Sequence, residues 1–169
     1  TGAVAPPIHL ATTFQHGPAA ERVAGYEYQR EGHPTQDRLE AALAALEAGE
    51  AALAFASGMA AMHAVLGALP PGSHVLIPRD CYTGLRVLAN EFLPAAGISV
   101  DAVDTCDLPA LAAALRPETR MLWLETPSNP LLRMTDIAAV AALAKPRGIL
   151  RACDNSFATP ILQQPLALG

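Results

Sequence analysis

The run Ile149-Leu150-Arg151-Ala152-Cys153-Asp154 is a short apolar segment that closes on a carboxylate, with Asn155-Ser156-Phe157-Ala158-Thr159-Pro160 after it. In an alternating α/β chain, an acid at the carboxyl end of a buried strand stands on the rim where such folds bind ligands. Asp154 is suited to holding a protonated ring nitrogen; the plainer use is a turn aspartate satisfied by backbone N–H groups. Three other segments carry comparable chemistry. Ala56-Ser57-Gly58-Met59 lies where a strand hands over to a helix, so free N–H groups and the helix dipole would attract a phosphate; alternatively Ser57 only caps the helix and Gly58 allows close packing. In Asp80-Cys81-Tyr82-Thr83-Gly84, Tyr82 offers an aromatic face to a planar ligand or is a half-buried tyrosine at a helix start. In Glu125-Thr126-Pro127-Ser128-Asn129-Pro130, two prolines fix a loop that presents the Asn129 amide to an oxygen, or that is a turn made of turn-formers.

The elements that must position these residues follow from periodicity. Apolar runs at residues 51–56, 75–77, 98–103, 121–124 and 149–153 read as strands, and segments at 58–66, 84–93, 108–115 and 136–144 read as helices between them. An earlier helix starts at Pro34, with Leu39, Leu43 and Leu46 at helical spacing and Gly49 as a left-handed stop. Pro70-Pro71-Gly72 marks a turn, and Asp107 and Thr135-Asp136 mark helix starts. Strand and helix in alternation with short connections imply an α/β fold, a three-layer αβα arrangement with a mostly parallel sheet. Residues 1–33, rich in proline and glycine and without sustained periodicity, read as an irregular arm; residues 34–169 read as the sheet-bearing domain.

Composition narrows the function. A chain of 169 residues, 51% of them hydrophobic, can bury a core without disulfides. Its net charge of -5 and its scattered basic residues give no footprint for nucleic acid, and the apolar stretch at 51–69 is broken by Ser57, Gly58 and His63, so no membrane span is expected. The three cysteines form no CxxC pair and the five histidines no metal-ligand spacing. No metal is expected, and a reducing cytoplasm fits best. The chain begins at Thr1 and stops after Leu166-Ala167-Leu168-Gly169, and both ends read as cut.

Taken together, four strand ends in one sheet offer an anion cradle, an aromatic face, an amide and a carboxylate. Pyridoxal phosphate (PLP) needs those four: a phosphate site, a ring platform, a partner for its phenolic oxygen and an acid that keeps its nitrogen protonated. The chain resembles the PLP-dependent cystathionine gamma-synthase family, of fold type I, over nearly its whole length. The resemblance is carried by Pro6-Pro7-Ile8-His9-Leu10, by Tyr26 to Thr35, by Ser57-Gly58-Met59-Ala60-Ala61, by Glu125 to Leu132 and by Asp154 to Pro160.

It implies that residues 34–169 are part of a PLP-binding large domain. Gly58 and Met59 would hold the phosphate, Tyr82 would stack on the ring, contact the substrate and assist proton traffic or the leaving group, and Asp154 would pair with the ring nitrogen. Asn129 would touch the phenolic oxygen and the substrate carboxylate. Tyr28 and Arg30 would reach the phosphate of a neighbouring subunit, making a dimer functional and a dimer of dimers, a homotetramer, the expected assembly. Gamma-replacement or elimination on an acylated homoserine or related sulfur amino acid is the expected activity, in methionine and cysteine metabolism (transsulfuration). Cystathionine beta- and gamma-lyases, methionine gamma-lyase and acylhomoserine sulfhydrylases share the motifs.

Departures from the family pattern are specific. The serine-x-threonine-lysine segment that carries the family's Schiff-base lysine is not in these residues, and the single lysine, Lys145, precedes the Asp154 strand. By itself the 169-residue chain is therefore expected to be inactive, and a non-catalytic module is the reading from another class. His33 stands where asparagine is usual, Gln36 where arginine is usual, and the loop at Thr83-Gly84-Leu85-Arg86 is one residue shorter.

Overall fold

Four parallel strands make the sheet: β1 (His74–Pro78), β2 (Ser99–Val103), β3 (Thr119–Glu125) and β4 (Leu150–Asp154), in the order β2-β1-β3-β4. The structure is a computed structural model that describes residues 2 and 4–169; Thr1 and Ala3, at the head of the expected arm, lie outside the described residues. Two compact units divide the chain, one running to Ala54 and the other from Phe55 to Gly169.

In the second unit, strand alternation decides the layering. Val75, Ile77, Met121 and Trp123 point to one face, where they pack with Met62 and Leu66 of α2 (Gly58–Gly67) and Leu85 of α3 (Thr83–Val87). Leu76, Leu122 and Leu124 point to the other, against Leu111 of α4 (Leu108–Ala113) and Ile137, Val140 and Ala144 of α5 (Ile137–Ala144). Both faces of the central strands are thus covered, and β1 and β3 are correspondingly near-continuous apolar runs. Asp107 and Asp136 cap α4 and α5, each accepting the N–H three residues on, at 3.0 and 2.9 Å.

Three expectations need correction. Residues 51–55 form no strand: a strand exists only within a ladder, and the Ala54 N–H here donates to Glu40 Oε1 at 2.8 Å. The helix expected over 84–93 is α-helical only through Val87, then widens into a π turn, Leu88–Phe92, with Leu93 N–H bonded to Leu88 O at 2.9 Å. The wider turn brings Leu88 and Leu93, five apart, onto the buried side, and Pro94 has no N–H to continue the helix. The left-handed residue after α1 (Pro34–Leu46) is Ala48, at φ 54°, while Gly49 supplies the closing N–H to Ala44 O at 2.9 Å.

The first unit holds α1 and, before it among the described residues, no helix and two isolated bridges, Thr13 with Tyr28 and His16 with Arg22. Its centre is aromatic, with Phe14 against Tyr26 at 5.3 Å and against His33 at 5.9 Å. His33 serves as N-cap of α1, its Nδ1 accepting Thr35 N–H at 3.3 Å, the task an asparagine would perform there.

Candidate active site

Chain order places a switch point between β1 and β3, whose onward connections lead to opposite edges of the sheet. Ligands in open parallel sheets settle outside the carboxyl ends of the strands at such a point. There a cleft of about 320 Å³ is lined by Ser57, Gly58, Met59, Tyr82, Asn129 and Asp154, with Met62, Glu125, Pro127, Ser156 and Phe157 completing the wall.

Each residue arrives by a traceable route. Asp154 ends β4 and pairs in register with Glu125, which ends β3. Both share the strand parity of Trp123 and Ala152, which pack on the α2 side, so both carboxylates face the start of α2. Asp154 Oδ1 accepts Ser156 N–H at 3.0 Å, the turn contact anticipated for it, and among the described residues nothing donates to Oδ2. At α2, Ser57 Oγ accepts Ala60 N–H at 3.2 Å and its carbonyl accepts Ala61 N–H at 3.2 Å. The capping role is therefore real, and it leaves the N–H groups of Gly58 and Met59 without helix-internal partners. Apart from its chain neighbours and the backbone of α2 itself, no atom among the described residues lies within 4 Å of where a Gly58 Cβ would stand.

Tyr82 follows β1, and its side chain is 41% exposed. Gly84 makes room for it: a Cβ there would collide with both Met59 Sδ and the Tyr82 ring. Asn129 belongs to the loop after β3, where Thr126-Pro127 and Asn129-Pro130 are cis. That loop is tied to its neighbours by Ser128 Oγ on the Asp80 carboxylate and by Gln163 Nε2, which reaches Thr126 O and Asn155 Oδ1, each at 2.9 Å.

Glu125 was not among the residues singled out by sequence. Only 4% exposed, its carboxylate accepts Tyr82 N–H at 2.8 and 3.0 Å and Asn129 N–H at 2.8 Å. Burial pushes its carboxyl above the usual range, the two N–H donors oppose that shift, and the charges of Asp154 and Asp80 add to it. The signal was available, since Glu125 is also an acid at a strand's carboxyl end.

Tyr28 and Arg30 belong to the first unit, where the Arg30 guanidinium stacks 4.3 Å from the Tyr28 ring centroid. Lys145 follows α5 and opens the turn before the amino end of β4, whereas Asp154 stands at that strand's carboxyl end. Among the described residues no group of three or more His, Cys, Asp or Glu gathers as a metal cage, and no helix is long and apolar enough to cross a membrane.

A parallel α/β sheet with an anion-ready helix start, an aromatic face and a carboxylate around one switch-point cleft defines a nucleotide- or coenzyme-binding class of fold. The family model for Cys/Met metabolism PLP-dependent enzymes matches residues 1–169, and the chain belongs to that family. Cystathionine gamma-synthase of Mycobacterium tuberculosis is 46% identical over 170 residues, covering 100% of this chain and 44% of that protein. Cystathionine beta-lyase of Lactococcus lactis is 44% identical over 169 residues, with coverage of 100% and 44%. Among solved structures, cystathionine gamma-lyase from Lactobacillus plantarum complexed with L-serine superposes with a TM-score of 0.94 at 45% identity, covering 100% of this chain and 44% of that one. This chain thus spans 44% of the length of these relatives.

The family's coenzyme is pyridoxal phosphate, and the donor set fits it. Two N–H groups without helix-internal partners at a helix start suit a phosphate, an exposed tyrosine ring suits a flat heterocycle, and a carboxylate with one oxygen that accepts no bond among the described residues suits a protonated ring nitrogen.

Proposed function

We propose that this chain is the coenzyme-binding part of an enzyme that performs gamma-replacement or elimination on an acylated homoserine or a related sulfur amino acid. The observation that carries the proposal is that Gly58 and Met59 from the start of α2, and Tyr82, Asn129 and Asp154 from the ends of the three strands β1, β3 and β4, line one cleft. Pyridoxal phosphate, when bound, supplies an electron sink for carbanion chemistry at the amino acid's α carbon. The chain's own residues do the rest.

The N–H groups of Gly58 and Met59 bind the phosphate at the positive end of α2. Asp154 keeps a proton on the ring nitrogen, because a carboxylate beside that atom favours its charged form. Tyr82 supplies the ring platform and a hydroxyl that can carry a proton at the reacting atoms. The Asn129 amide orients the phenolic oxygen and the substrate carboxylate. Tyr28 and Arg30, on the arm of residues 1–33, serve the phosphate of a second subunit, within a cytoplasmic homodimer that pairs into a tetramer. Residues 34–169 form the cofactor-holding part.

Cystathionine lyase activity is the second reading, favoured by relatives of that name at 44 to 46% identity, matching the 46% of the gamma-synthase. Its substrate would be a thioether amino acid rather than an acylated homoserine. Asp154→Ala in the full-length protein tests the common core of both readings. Loss of about 100- to 1,000-fold in kcat is expected, the size of removing one electrostatic partner of a developing charge. Near-normal turnover would refute the role of Asp154.

A further inference from the structure

Glu125 is a buried carboxylate with no cationic hydrogen-bond partner among the described residues. Its hydrogen-bond partners among the described residues are two backbone N–H groups, and these belong to Tyr82, 43 positions earlier in the chain, and Asn129, four positions later. Oε1 accepts from both, and Oε2 takes a second contact from Tyr82. One side chain at the switch point therefore ties together the loop after β1 and the loop after β3, at the two positions that carry the ring platform and the orienting amide. Burying a charge in this way is costly unless its hydrogen bonds are good, and a neutral isostere would avoid the cost. Simple packing does not call for a carboxylate here. Two converging N–H donors do, because a carboxylate alone offers acceptors on both oxygens and no donor to oppose them.

Resting on the coenzyme reading above, we infer that Glu125 is a positioning residue that sets Tyr82 against the bound ring and Asn129 against the substrate by clamping their backbones. Ser128 on Asp80 ties the same two loops further from the cleft, so Glu125 governs fine placement rather than the existence of the loops.

The test is Glu125→Gln in the full-length holoenzyme. The amide has one acceptor oxygen, and its NH₂ group is set against an N–H wherever it points, so one loop must shift. A fall in kcat/KM of about 10- to 100-fold is expected, the scale on which a displacement of an ångström acts. The dichroism of the bound coenzyme should change with it, while coenzyme content and thermal midpoint stay near wild type. Glu125→Asp, with both acceptor oxygens, should recover part of the loss. Wild-type dichroism and kcat/KM in Glu125→Gln would overturn the inference. A wild-type protein that binds no coenzyme would instead overturn the reading of the cleft. If Glu125→Gln does not fold, amide exchange in the wild type decides: slow exchange at Tyr82 and Asn129 upholds the clamp, and exchange at the rate of a free loop removes it.

Discussion

Glu125 and Asp154 stand side by side as register partners at the ends of β3 and β4, both turned toward the helix that begins at Gly58. Two carboxylates on adjacent strands, with no lysine or arginine among the described residues hydrogen-bonded to either, make a site that is electrostatically incomplete by itself. A cationic ring bound against Asp154 would relieve that repulsion.

Replacing Asp154 by Asn should therefore separate stability from function. The amide oxygen retains the Ser156 N–H contact while the like charge beside Glu125 disappears. Denaturant unfolding of the coenzyme-free protein should show a gain of about 0.2–1 kcal/mol, the range of a cross-strand charge pair. Coenzyme retention on dialysis should fall.

Gly84→Ala should disturb the cleft through two side chains at once. The new methyl group would occupy space held by Met59 Sδ and the Tyr82 ring, and overpacking of this kind costs about 1–3 kcal/mol. A lower denaturant midpoint and weaker coenzyme titration are expected together.

Far from the cleft, His74 opens β1 with its ring fully buried, Nδ1 2.8 Å from Thr119 Oγ1 and Nε2 3.3 Å from Asp101 Oδ2. Burial, and then the nearby Arg116 charge, hold its pKa below the ordinary value, outweighing Asp101. A base whose folded pKa is depressed binds more protons when unfolded, so its contribution is whole above about pH 6.5 and is lost as pH falls through that value toward the folded pKa. Unfolding titrations across that interval should show the loss, and His74→Gln should flatten it.

Leu122, completely buried on β3 between the sheet and α5, tests the layering. Leu122→Ala should cost about 2–5 kcal/mol in urea unfolding.

Much of this was legible in sequence because it depends on local patterns. Met121 to Leu124 is a strand by its apolar continuity, and Asp107 and Asp136 announce their helices by capping chemistry. Asp154 was legible by a chemical argument about strand ends. What was not legible depends on partners distant in the chain. Residues 51–56 have the composition of a strand, but ladder pairing is a property of neighbours. The π turn at Leu88–Phe92 answers to the core beneath it. That Glu125 is an acid at a strand's carboxyl end was legible, but its clamping partner was not, because the Tyr82 N–H lies 43 residues away.

The most direct measurement is a crystal structure of the full-length protein with pyridoxal phosphate bound. The phosphate is expected against the N–H groups of Gly58 and Met59, with the ring nitrogen within hydrogen-bond distance of the Asp154 carboxylate. A coenzyme bound elsewhere, or a ring nitrogen turned away from Asp154, would contradict that placement.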